Sequence, residues 1–148
     1  MKTKIIFLVL AILVVVMGGI IIATLMNSTD PEPQDVSLNT PFNLKIGESA
    51  DIESKRIRVT FLAVTQDSRC PKDVVCVWEG EVSVVVKVVL NGLNQGNFEL
   101  DSSNMHKASF GGIYYVKLIE LSPYPETTDP IPLSSYIGNF TIGEYGPD

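Results

Sequence analysis

Histidine is nearly absent from this chain, and that absence excludes several chemistries. The one imidazole, His106, cannot supply the pair that an electron-transfer copper site needs, although Met105 stands beside it. It is also the only base open to a Ser-His-Asp arrangement, and no G-x-S-x-G elbow occurs. His106 lies in the polar stretch DSSNMHKAS and reads as solvated. Cysteine is scarce too. Cys70 and Cys76 form a C-x5-C pair with no second pair of ligands to complete a metal site. Their spacing is too long for the C-x-x-C of a disulfide oxidoreductase, and the context is not helical.

Basic residues are few. Of eleven Lys and Arg, Lys2 and Lys4 precede a long apolar run. The remainder of the chain keeps nine, against seventeen Asp and Glu, a net charge of −8. Nucleic acid and anionic lipid surfaces both call for a basic face, so this balance argues against either as a partner. Paired carboxylates of the glycosidase kind stay open, but so small a domain leaves little room for a cleft. The expectation is a non-enzymatic protein with no cofactor, no metal and no catalytic residue.

What the chain does have is a charge-free stretch from Ile5 to Met26. As a helix its 22 residues span roughly 33 Å, enough for a bilayer core of about 30 Å. That is long for a signal peptide, and TLMNS is a poor cleavage site. The reading is an uncleaved signal anchor over 1–26, with cleavage and secretion as the alternative. Lys2 and Lys4 lie before it and Asp30, Glu32 and Asp35 after it, which places the C-terminal part outside the cytoplasm. In such a compartment Cys70 and Cys76 favour a disulfide.

Residues 27–41, NSTDPEPQDVSLNTP, read as an extended, solvated stalk. They contain a glycosylation-type sequon at Asn27, and a second lies at Asn139. From residue 42 to 148 the pattern is β. FNLKI and RIRVTFLAV alternate apolar and polar, and EVSVVVKVVL is rich in valine. NGLNQG turns the chain, NFEL pairs back, and GGIYYVKLIEL and SYIGNFTIGEY complete the set. Six or seven short strands with turns between them predict an all-β fold, a small immunoglobulin-like β-sandwich behind one transmembrane helix.

The densest cluster is DSRCPKDVVCVWEG, residues 67–80. Pro71 stiffens the loop that the cysteines enclose. Trp78, two residues past Cys76, would share its side of an extended strand and pack on the disulfide as a core residue. On that reading Trp78→Ala costs about 3 kcal/mol or more; Arg69→Ala matters less for folding if the role of Arg69 is recognition. Gly80 permits a bulge or a close backbone approach. Asp67 and Arg69 can pair with each other or hold loop backbone groups. Two readings stand side by side. One is a stapled corner, with Pro71, Trp78 and Gly80 as support. The other is a partner-binding loop that presents Asp67, Arg69, Lys72 and Asp73. Asp67, Asp73, Glu79 and Glu81 also raise calcium, although no EF-hand pattern is present. SPYPETTDPIP, residues 122–132, reads as a rigid crossover pinned by Tyr124 and Tyr136.

The cluster resembles a signature, D-S-R-C-P-x-x-V-x-C-V-W-x-G, that recurs in a family of small exported or membrane-anchored prokaryotic β-domain proteins. FNLKIGESADIESKRIRVTFLAV is similar to that family's opening strands, and YYVKLIELSPYPETTDPIPLSSYIGNFTI to its closing half. Glu79 departs from the pattern, which often has a small residue there. The resemblance implies an exported or anchored β-domain and carries no catalytic activity. The function expected is binding of a protein or a cell-envelope component. The alternatives are a structural accessory subunit packed through Gly18 and Gly19, and a small hydrolase or carbohydrate-binding module.

Overall fold

The computed structural model describes Ile6, Leu13, residues 31–102 and residues 107–146. Apart from Ile6 and Leu13, which are helical, the apolar run over 1–26 lies outside the described residues, as do Asn27, Met105 and His106. Among the described residues no helix is long and apolar enough to cross a membrane.

The described part of the chain beyond residue 30 is all-β, with nine strands in two sheets. One sheet runs in the order β1 (Gln34–Asp35), β3 (Ser49–Ile52), β4 (Ile57–Asp67), β5 (Val82–Leu90), β6 (Leu93–Asp101). The other runs β2 (Phe42–Lys45), β9 (Ile137–Glu144), β8 (Tyr114–Ser122), β7 (Lys107–Phe110). Neighbours are antiparallel except β1, which lies parallel to β3.

Apolar alternation explains how the sheets face each other. β2 buries Phe42 and Leu44, β4 buries Ile57, Val59 and Phe61, and β5 buries Val82, Val84, Val86 and Val88. Val116, Leu118, Leu121, Phe140 and Ile142 join Phe42 and Leu44 from the β2-β9-β8-β7 sheet, and face the β4 and β5 residues across the core. The Phe61 and Phe140 rings meet edge to face at 5.2 Å across the core, a favourable aromatic geometry. A bulge between Leu118 and Glu120 shifts the phase of β8, so Leu121 turns inward and Glu120 stays out. The β5–β6 hairpin turns on Asn91 and Gly92, both at positive φ (54° and 77°), as a two-residue type I′ turn requires.

Three parts of this fold differ from the expectation. The stalk over 27–41 is too long, because Gln34–Asp35 already pairs in the sheet and Val36 and Leu38 pack against the core. The domain therefore starts well before Phe42. SADI (β3) and KASF (β7) form strands of their own, four residues each. LNQG is strand rather than turn, since the two-residue turn needs only Asn91 and Gly92.

Candidate functional site: a stapled loop at one end of the sandwich

The β4–β5 loop, residues 68–81, leaves the sheet as a narrow ribbon. The Ser68 amide donates to the Glu81 carbonyl at 2.8 Å, and the Cys70 amide to that of Glu79 at 2.9 Å. Gly80 sits at φ +72°, and a Cβ there would collide with the Ser68 carbonyl oxygen. This is the close backbone approach expected of that glycine. Beyond the ribbon Cys70 and Cys76 are joined by a disulfide, Cα to Cα 5.9 Å. A bridge over so few residues contributes about 2 kcal/mol through chain entropy, so it shapes the loop more than it holds the domain.

At the root of the loop Arg69 grips Asp67 with both arms of its guanidinium, Nε to Oδ1 at 2.8 Å and Nη2 to Oδ2 at 2.7 Å. The same guanidinium donates to the carbonyls of Leu121 (2.5 Å) and Pro123 (2.9 Å) at the end of β8. The Tyr136 hydroxyl donates to Asp67 Oδ2 at 2.9 Å. Both charged side chains are nearly buried, 10 % and 11 % exposed. Burial pushes the Asp67 carboxyl up, but the hydrogen bonds from Arg69 and Tyr136 outweigh it and leave the carboxyl below its ordinary value. Burial, joined by the Asp67 charge, pushes the Tyr136 phenol up to about 12.

These contacts tie the β4–β5 loop to the β8–β9 connection, residues 123–136. The Lys72 and Asp73 amides add hydrogen bonds to the carbonyls of Pro125 and Glu126, both at 3.2 Å, and Lys72 Nζ pairs with Glu126 at 2.7 Å on the surface. The Arg69 guanidinium also lies 5.1 Å from the centre of the Tyr124 ring. Tyr136 is buried and Tyr124 half exposed, so Tyr136 does most of the pinning expected of that pair. Between the two loops lies a cleft of about 340 Å³, whose lining includes Asp67, Arg69, Pro71, Pro125, Ile131 and Tyr136.

Two expectations for the cluster are corrected. Asp67 and Arg69 are not presented to a partner, because their polar atoms are spent on each other, on Tyr136 and on β8 carbonyls. Trp78 does not pack in the core; its side chain is 82 % exposed. The chain bends at Val77 and Trp78 instead of running extended, so the two-residue spacing from Cys76 sets no common face. The core is meanwhile filled by Phe61, Phe140 and Tyr136. What the loop presents is apolar: Val75 is fully exposed, Val77 is 89 % exposed and Val74 is 41 %. Sequence reading passed over these valines because they continue the pattern of strand residues around them. Lys72 and Asp73 remain on the surface beside this tip, Lys72 bound to Glu126.

Asn139 is also out of place as a modification site. It lies within β9 opposite Asn43, its amide nitrogen donates to Asn43 Oδ1 at 2.9 Å, and its own Oδ1 is buried without a partner. An acceptor amide has to be presented on a surface loop. Among the described residues no three His, Cys, Asp or Glu side chains gather where a metal ion could sit. Of the four carboxylates weighed for calcium, Asp67 is held by Arg69 and Tyr136.

No protein-family model, no curated protein and no solved structure matches the chain.

Proposed function

We propose that this chain is a membrane-anchored, extracytoplasmic interaction protein of the family that its D-S-R-C-P signature suggests. Its immunoglobulin-like sandwich holds out the β4–β5 loop as a contact surface for a protein or another component of the cell envelope. One observation carries the reading. Val75, Val77 and Trp78 stand in solvent on a loop fixed at its root by a buried ion pair, along its length by Gly80 and at its crown by a disulfide. Apolar side chains held rigidly in water lose little conformational entropy when a partner covers them. The apolar segment over 5–26 supplies the anchor, and the disulfide supports an oxidising compartment.

Site-specific photocrosslinking in intact cells tests the surface. Probes placed at Val75 and Trp78 are expected to give adducts, while a probe at the exposed Lys117 on β8 gives none. Adducts of equal yield at all three positions, or at Lys117 alone, would end the proposal.

A further inference from the structure

The loop tip carries no free positive charge. Arg69 is consumed by Asp67, Lys72 is bound to Glu126, and Asp73 and Glu79 flank the apolar residues. A contact made here gains nothing from anionic headgroups or an acidic partner, and rests on burial of valine and tryptophan. Tryptophan with aliphatic neighbours is the composition that settles at a lipid–water interface.

Strand direction bears on what meets this tip. β1 runs parallel to β3, and β3 antiparallel to β4. The start of β1 therefore faces the end of the sheet at which β4 finishes and the loop emerges. The chain comes into the domain from that end. Only residues 27–33 separate the apolar run from Gln34, a reach of at most about 26–29 Å. Gln34 lies level with Ala50, and Ala50 with Val59. Val59 pairs with Val88 and Asp67 with Val82, so the two bulges in β4 leave an advance of six strand steps, about 20 Å, from Val59 to Asp67, and the loop extends beyond. The tip thus projects from the level of Gln34 about as far as the tether can reach.

We infer that Val75, Val77 and Trp78 insert into the lipid–water interface of the membrane that holds the chain, as a second, shallow and uncharged attachment. This rests on the reading of the chain as anchored through residues 5–26. It makes the envelope component that the loop contacts the bilayer itself.

Trp78 is the only tryptophan, so the intrinsic fluorescence of the whole chain reports the tip. The full-length protein is reconstituted into phosphatidylcholine vesicles, with and without brominated acyl chains, and floated on a density gradient. The expected result is co-flotation, Trp78 emission shifted to shorter wavelength, and quenching by the brominated lipid that high salt does not relieve. Val75→Asp with Val77→Asp, both at exposed positions, should float equally and return the emission to that of a hydrated indole. Co-flotation with a hydrated, unquenched Trp78 overturns the inference and leaves the anchor standing. Failure to float removes the anchor and the inference together. Emission that is shielded but not quenched by the lipid puts a second copy on the tip. Shielding seen in native membranes and absent from pure lipid puts another protein there. Either result overturns the inference.

Discussion

The Tyr136 hydroxyl donates a 2.9 Å hydrogen bond to Asp67, a residue 69 positions earlier in the chain. That contact joins the end of β4 to the start of β9, one strand from each sheet. Arg69 completes it by bonding Asp67 and the carbonyls of Leu121, in β8, and Pro123, just past it. The DSR tripeptide is thus a clasp between the sheets at the base of the loop, and its charges serve the fold.

Arg69→Ala should therefore destabilise the protein by about 3 kcal/mol or more, because it strands the nearly buried Asp67 carboxylate and the carbonyls of Leu121 and Pro123. The surface pair Lys72–Glu126 provides the contrast; Lys72→Ala should cost under about 1 kcal/mol. Urea unfolding followed by far-ultraviolet circular dichroism compares the two. Replacing Asp67 and Arg69 together by leucine should recover part of the loss, since no charge is then left unpaired. Equal small costs for Arg69→Ala and Lys72→Ala would mean that the clasp is not closed in solution.

The same clasp sets two pH limits. Asp67 is more acidic folded than unfolded. Its contribution is complete above the ordinary carboxylate range near pH 4 and falls away as pH drops through the lower folded value. Tyr136 has the opposite sign. Its phenol rises from 10 to about 12 on folding, so its contribution is complete below pH 10 and is lost as pH climbs towards 12. Unfolding free energies of the wild type and Tyr136→Phe, measured from pH 9 to 12, should converge as pH rises. A constant gap across that window would contradict the raised phenol.

Trp78→Ala should leave folding stability within about 0.5 kcal/mol of wild type, as for an exposed side chain that makes no buried contact. Thermal unfolding of the two proteins decides it. A loss of several kcal/mol would return the indole to the core.

Legibility in the sequence followed the range of the interactions concerned. The alternation in FNLK, the opening of RIRVTF and the valines of β5 encode their own burial, because a strand's two faces are written at a spacing of two. The short strands β1, β3 and β7 gave less to read, with two to four residues each and pairing that supplies what their composition does not. Asp67 and Arg69 stood out as a charged pair, but nothing near them named Tyr136, Leu121 or Pro123 as partners. Trp78 was misplaced for the same reason. Its environment depends on the bend after Cys76 and on the docking of the loop against residues 123–126, neither of which follows from local spacing. The disulfide was legible because the chain has two cysteines, close in sequence, and they allow a single pairing.

Gly80→Ala separates the ribbon from the clasp. A methyl group at φ +72° is strained, and here it would also meet the Ser68 carbonyl. The two strands of the ribbon must then part, loosening the Ser68–Glu81 and Cys70–Glu79 hydrogen bonds. The expected cost is roughly 1–3 kcal/mol from the backbone alone. The asymmetry matters more than the size. Hydrogen exchange should accelerate at the Ser68 and Cys70 amides, while the amides of Val84 and Val86 in β5, well inside the sheet, keep their protection. If protection fell equally in the loop and in β5, the loop would be part of the cooperative core and could not be altered without unfolding the domain. If it fell in the loop alone, the presented tip could be redesigned on an intact sandwich.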